Sequence, residues 1–77
     1  MQNLPKIETV EQAREVLLGM GEQQEITATS DEGAISIKRH SDHEFSAALV
    51  DHETGIISLR DASHILLEHG DHELYFA

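Results

Sequence analysis

The chain has 77 residues, contains no cysteine, and carries a formal net charge of −10 from 15 acidic and 5 basic side chains. This length allows one domain at most, so residues 1–77 are expected to form a single compact domain with residues 1–8 as a lead-in segment. Without cysteine the chain has no disulfide and no thiolate zinc site.

The sequence also lacks the patterns of a membrane or exported protein. No apolar run approaches the roughly 18–20 residues that a transmembrane helix needs. The first residues, 1–6, have neither the basic start nor the apolar centre of a signal peptide. We therefore expect no membrane association and a cytoplasmic location.

The first predicted element is a helix over residues 10–20. Thr9 and Gln12 have the spacing of a capping box, in which the Thr9 hydroxyl accepts from the Gln12 amide and the Gln12 side chain reaches back. Helical spacing places a set of apolar residues on one face. These residues are Val10, Ala13, Val16, Leu17 and Met20.

Strand periodicity follows in four segments, at 25–30, 34–39, 45–50 and 56–60. Polar, turn-forming residues separate them, and short alternating segments joined by tight turns predict a four-stranded antiparallel meander. One face of that meander is apolar and has to be covered. It carries Ile26, Ile35, Ile37, Phe45, Ala47, Leu49, Ile57 and Leu59.

The last elements are a short second helix and a fifth strand. Asp61 is the expected N-cap of a helix that continues to about His69, with Gly70 after its end. Residues 73–77 are predicted to add a C-terminal strand, with a terminal arm that docks on a partner as the alternative. The expected fold is α+β, in the order α-β-β-β-β-α-β, with both helices packed on one face of the sheet.

The opposite face of the predicted sheet is mostly polar, but it contains a small apolar island. Ala48, Val50 and Ile56 form this island among serine, threonine and lysine. An exposed apolar area with a polar border is a candidate contact surface.

The triplet Asp-His-Glu occurs three times, at 42–44, 51–53 and 71–73, and the string His-x-Asp-His-Glu occurs at 40–44 and 69–73. Imidazole and carboxylate ligands suit zinc, nickel or copper, so a metal-responsive protein is one alternative. The six histidines also allow a response to falling pH. The prediction is nevertheless that the triplets are solvated turns, and no metal ligand is assigned.

No catalytic set or cofactor motif is present. There is no thiol nucleophile, and no serine lies in a G-x-S-x-G context. Gly19 and Gly21 follow a helix, whereas a phosphate-binding loop precedes one. We therefore expect neither an enzyme nor a cofactor.

The acidic charge is concentrated in the second half of the chain. Residues 1–39 have a net charge of −3 and residues 40–77 a net charge of −7. Such a field repels nucleic acid and favours a basic protein partner. The acids at turns and strand ends, together with the apolar island, are the predicted partner-binding residues: Asp42, Glu44, Ala48, Val50, Asp51, Glu53, Ile56, Asp71 and Glu73.

The leading hypothesis is therefore a small, acidic, non-enzymatic binding protein that inhibits or neutralises a basic protein partner. Small cysteine-free acidic α+β chains are common among bacterial or phage inhibitor and immunity proteins, and imitation of nucleic-acid phosphates is one way in which they act. The alternative from another class is a structural or regulatory homo-oligomer, such as a homodimer, that associates through an exposed sheet face.

Overall fold

The computed structural model describes residues 6–30, 33–69 and 73–76. In these ranges two helices and four strands follow in the order α1 (Val10–Leu18), β1 (Glu25–Ser30), β2 (Gly33–Arg39), β3 (Phe45–Ala48), α2 (Leu59–Glu68) and β4 (Glu73–Phe76). The strands form one antiparallel sheet with the order β3-β2-β1-β4. The predicted α+β class, with an antiparallel sheet, two helices and a C-terminal strand, is confirmed.

Helix α1 begins at the predicted capping box. The Thr9 hydroxyl accepts from the Gln12 amide at 3.1 Å, and the Gln12 side-chain oxygen accepts from the Thr9 amide at 3.1 Å. These two bonds satisfy amide groups that have no partner within the helix. The helix ends at Leu18, two residues before the predicted end.

The prediction of a fourth meander strand at 56–60 is wrong. Ile57 exchanges two backbone hydrogen bonds with Phe45, at 3.0 and 2.8 Å, but this is an isolated bridge. The Ser58 hydroxyl then accepts from the Asp61 amide at 3.1 Å and starts α2 at Leu59. The N-cap of α2 is therefore Ser58, and Asp61 lies in the first turn of the helix.

The sheet reaches four strands in a different way. The meander contains β1, β2 and β3, and the C-terminal strand β4 pairs with the free side of β1. Strand β3 also stops at Ala48, so Leu49 and Val50 lie beyond it instead of continuing the predicted 45–50 strand.

The core lies between the helices and one face of the sheet. Strand alternation and pairing bring apolar residues together on this inner face. The buried residues of the strands are Ile26, Ala28, Ile35, Ile37, Phe45, Ala47 and Leu74. The buried residues before, in and after the helices are Ile7, Ala13, Leu17, Met20, Ala62, Ser63 and Leu66.

The other face of the sheet is uncovered by any described element. Its residues are half-buried at most, because only neighbouring side chains shield them. They include Thr27, Thr29, Ser36, Lys38, Ser46 and Ala48. The result is a two-layer domain with one open, polar sheet face.

Arg39 is the only charged residue buried in the described part of the chain. It pairs with Phe45 across β2 and β3, and its guanidinium carbon lies 5.9 Å from the centroid of the Phe45 ring. Its Nη1 donates to the carbonyls of Leu18 at 3.1 Å and Met20 at 2.5 Å. Its Nε donates to the Ser41 carbonyl at 3.2 Å.

The same arginine holds the segment between α1 and β1. The Arg39 carbonyl accepts from the Gln23 amide at 2.7 Å, and the Arg39 amide donates to the Gln24 carbonyl at 3.1 Å. Gln23 has a positive φ of 67°, so the chain turns sharply where it meets Arg39. Arg39 thereby joins the end of α1, the approach to β1 and the turn after β2.

We expect Arg39→Met to lower the free energy of unfolding by about 3 kcal/mol, because buried carbonyls lose a charged donor while the methionine keeps most of the volume. Urea denaturation followed by circular dichroism measures this. The matched control is Lys38→Met, which removes a neighbouring charge on the open face and is expected to cost less than about 1 kcal/mol. Equal losses in the two variants would contradict the role given to Arg39.

Candidate functional site

The residues after β3 fold back along this edge strand. The Leu49 amide donates to the His52 carbonyl at 2.7 Å, which closes a tight turn. The Thr54 amide then donates to the Ala47 carbonyl at 2.8 Å. An isolated bridge pairs Ala48 with Glu53.

The Thr54 side chain completes the pairing of the edge. Its hydroxyl oxygen accepts from the Ala47 amide at 2.8 Å and the hydroxyl donates to the Gly55 carbonyl at 2.9 Å. A threonine hydroxyl therefore takes the place that a backbone carbonyl would have in a regular strand. Residues 49–56 are consequently a loop fixed to the sheet edge.

Five of the predicted partner-binding residues lie along this edge, on β3 and on the loop that pairs with it. We name them the β3-edge surface: Ala48, Val50, Asp51, Glu53 and Ile56. Val50 and Ile56 are 63% and 59% exposed, which makes them the most exposed large apolar residues in the described ranges. Asp51 and Glu53 lie between them in the chain and are also exposed.

Val50 is held against the start of β2. Gly33 there has a φ of 138°, and a Cβ on that residue would lie 3.3 Å from Cγ2 of Val50. The glycine thus allows the loop to approach the sheet, while most of the Val50 side chain stays exposed.

Asp42 and Glu44 lie at the end of β3 where Ile57 pairs with Phe45, away from Val50 and Asp51. At about 3.3 Å per residue, Glu44 and Ala48 are roughly 13 Å apart along the strand. The Asp42 carboxylate lies 3.2 Å from the Arg39 guanidinium and its side chain is 81% exposed. Glu44 accepts from the Ser41 hydroxyl at 3.0 Å, so both acids have local partners in the turn.

The last two predicted residues are not part of this surface. The backbone of Glu73 pairs with Thr29 in β4, at the opposite edge of the sheet. Three strand spacings of about 4.8 Å place that edge roughly 14 Å from β3. Asp71 lies outside the described residues.

The Asp-His-Glu triplets at 42–44 and 51–53 lie in exposed turns at opposite ends of β3. In the ranges that the structure describes, no group of three or more histidine or acidic side chains is placed to hold a metal ion. Most of the string at 69–73 falls outside those ranges, so the metal-responsive alternative stays a prediction.

A polar recess of about 260 Å³, which the sequence analysis missed, adjoins the β3-edge surface on the open sheet face. Nε2 of His40 lies 2.7 Å from the Ser46 hydroxyl inside it. No described carboxylate bonds this histidine, so the pair lacks the third group of a catalytic triad. The recess is lined by Glu25, Ser36, Lys38, His40, Ser46, Ala47, Ala48, Glu53 and Thr54.

Strand alternation indicates several of the residues that line this recess. Ser36 and Lys38 point outward from β2, and their register partners Ala48 and Ser46 point outward from β3. His40 continues the same side of the chain, although the sequence predicts a turn at this residue. Glu53 reaches the recess through the folded-back loop, which strand periodicity does not predict.

Comparisons with protein-family models, curated proteins and solved structures find no match to this chain. Neither described helix has the length and apolar character needed to cross a membrane.

The Asp51 carboxylate is linked to the next residue. Its Oδ1 lies 2.7 Å from Nδ1 of His52. The hydrogen bond from His52, then a bond from its own backbone amide, then the His52 charge lower the pKa of Asp51 below its ordinary value of 3.8. The loop therefore keeps this negative charge to more acidic pH than an ordinary aspartate would.

We expect His52→Ala to raise the pKa of Asp51 towards 3.8, because both the hydrogen bond and the histidine charge are removed. Since the folded pKa is the lower one, the interaction is fully present above pH 3.8 and is lost as the pH falls through the folded pKa. The carboxyl ¹³C chemical shift of Asp51, recorded as a function of pH, measures the midpoint of its titration. His43→Ala, in the first triplet, is the control and should leave it unchanged; an unchanged midpoint in His52→Ala would refute the pairing.

Proposed function

We propose that this chain is a small, non-enzymatic acidic binding protein that inhibits or neutralises a basic protein partner. The observation that carries the proposal is the β3-edge surface, where the carboxylates of Asp51 and Glu53 lie between exposed Val50 and Ile56 in the chain. Apolar side chains bordered by acids suit a partner surface with an apolar centre and a basic rim.

The apolar part of this surface contributes only a fraction of a stable interface. Burying the exposed parts of Val50 and Ile56 is worth roughly 1–2 kcal/mol each. A complex with a dissociation constant of 1 µM requires about 8 kcal/mol. The proposed interface is therefore larger than the loop alone.

The open sheet face supplies the additional area. A standard interface buries about 800 Å² on each partner, which is about one-sixth of the 4848 Å² accessible surface of this chain. The polar recess adjoins the β3-edge surface and shares Ala48 and Glu53 with it. A partner lysine or arginine in this recess would meet the carboxylates of Glu25 and Glu53, although Lys38 offsets one of these charges.

Charge explains the expected partner class. The chain carries −10 overall, so a basic partner is attracted at long range and an acidic one is repelled. Charges at the rim of an interface act mainly on association rate and selectivity. In this proposal the acids select the partner, and the apolar residues slow its release.

The test is affinity capture from the native host, followed by binding kinetics of the captured protein in a salt series. We expect a basic partner and an association rate that falls with salt. Asp51→Asn with Glu53→Gln should weaken binding about tenfold, because the partner then faces two fewer charges at the contact. Asp42→Asn with Glu44→Gln makes the same charge change roughly 13 Å away and should weaken binding less. An acidic partner, or binding that is indifferent to salt, would overturn the electrostatic mechanism.

A second candidate is a homo-oligomer, and the composition of β4 favours it. This strand lies at a sheet edge and carries Leu74, Tyr75 and Phe76, so its outer side offers backbone groups beside aromatic side chains. Two copies joined through β4 would form one continuous sheet of eight strands.

Light scattering at high protein concentration tests this candidate. A dimer mass that reverts to the monomer mass in Tyr75→Lys is expected, because a lysine on an edge strand opposes edge-to-edge pairing. The control is Thr27→Lys, which introduces the same side chain on the neighbouring interior strand. A strict monomer would reject the homo-oligomer and leave the binding-protein proposal intact.

A further inference from the structure

A groove of about 500 Å³ lies between α1 and α2. It opens on the helix layer, on the opposite side of the sheet from the open face. Its lining comes from the first two turns of each helix: Val10, Glu11, Arg14, Leu59, Arg60, Ser63 and His64.

The groove is lined by two cationic side chains, although the chain as a whole is strongly acidic. Arg14 and Arg60 are two of only 5 basic residues in the sequence. In the described ranges, neither guanidinium has a carboxylate oxygen within ion-pair distance, and neither donates a side-chain hydrogen bond. Glu11 is the single acid in the lining, so the local charge is +1 with His64 neutral.

Helical spacing directs these side chains into one space. Arg14 follows Val10 by four residues on α1, and His64 follows Arg60 by four residues on α2, so each pair shares a helix face. Val10 and Leu59 form the apolar wall of the groove. The Ser63 hydroxyl already donates to the Leu59 carbonyl at 2.7 Å, which leaves the arginines as the main donors.

We propose that this groove binds a small organic anion, with its carboxylate or phosphate group between Arg14 and Arg60 and its apolar part against Val10 and Leu59. The planar donors of a guanidinium match both oxyanions in bidentate geometry. A volume of about 500 Å³ lies within the range of small-molecule sites.

The net charge of the chain does not prevent this binding. At physiological ionic strength the Debye length is about 8 Å, so distant carboxylates are screened while the two adjoining arginines are not. A long polyanion would extend over the acidic remainder of the surface and be repelled. The site therefore selects a small anion over nucleic acid.

The proposal is independent of the basic-partner proposal, because the groove and the β3-edge surface share no residue. Either one can fail while the other stands. The readouts also differ, since one is a small-molecule titration of the isolated chain and the other is the capture of a protein.

The experiment is a titration of the ¹⁵N-labelled full chain, followed by ¹⁵N–¹H spectra at matched ionic strength. The probes are phenyl phosphate, hexanoate and inorganic phosphate, which separate the two head groups from the apolar contribution. We expect saturable shifts of amides in residues 10–14 and 59–64, with a dissociation constant below about 1 mM for one organic probe. Inorganic phosphate, which lacks the apolar part, should bind at least about tenfold more weakly.

Paired substitutions separate a specific site from general attraction. Arg14→Gln with Arg60→Gln should raise the dissociation constant at least about tenfold, because both donors of the head group are lost. Lys6→Gln with Lys38→Gln removes the same charge outside the groove and should change it less than about twofold. Unchanged chemical-shift dispersion verifies that each variant folds.

Three results would overturn the proposal. The first is the absence of a saturable shift in residues 10–14 and 59–64 with all probes. The second is equal weakening by the two double variants, which would indicate only general charge attraction. The third is a shift of the same amides with protein concentration and no probe, which would indicate that an acidic segment of a second copy occupies the groove.

Discussion

The burial of Arg39 is the constraint on which the arrangement of the two layers depends. A buried guanidinium is costly unless its donors are satisfied. Here Nε and Nη1 meet the carbonyls of Leu18, Met20 and Ser41. The ion pair with Asp42 adds little, because that carboxylate is 81% exposed and water screens it. The carbonyls at the end of α1 are therefore its main partners, and they fix this helix over the inner face of the sheet.

Because both helices lie on one face of the sheet, the molecule has two different surfaces. The helix layer carries the groove with Arg14 and Arg60, and the sheet side carries the polar recess with Glu25 and Glu53. Opposite local charges thus lie on opposite sides of a chain that is negative overall. Because salt screens charges beyond about 8 Å, each surface presents its own local charge to a ligand at contact distance.

Sequence patterns among neighbouring residues predicted the helix and strands whose formation depends on short-range contacts. The Thr9–Gln12 capping box identified α1, and alternation identified β1 and β2 to within one residue. Arg39 lies on the inner side with Ile35 and Ile37, but the sequence-based prediction of this face did not include it. The carbonyls of Leu18 and Met20 that stabilise it are about 20 residues away in sequence, and no periodicity reports such a contact. The pairing of β4 with β1 is long-range in the same way.

The segment 56–60 failed as a strand because two local patterns compete there. Ile57 and Leu59 alternate as in a strand, but Ser58 and Asp61 also have the spacing of a helix cap. The cap prevails after a single bridge to Phe45, because Phe45 is the first residue of β3 and the chain beyond Ile57 has no further strand residue to pair with.

This competition is also what forms the β3-edge surface. A regular strand at 56–60 would have continued the sheet beside β3 and drawn Ile56 into a ladder of backbone bonds. The loop instead folds back on two side-chain bonds of Thr54 and keeps Val50 and Ile56 exposed on either side of the carboxylates. Strand alternation assigns Ala48, Val50 and Ile56 to one outer sheet face, and no periodicity indicates the Thr54 bonds that fix the loop with Val50 and Ile56 to β3.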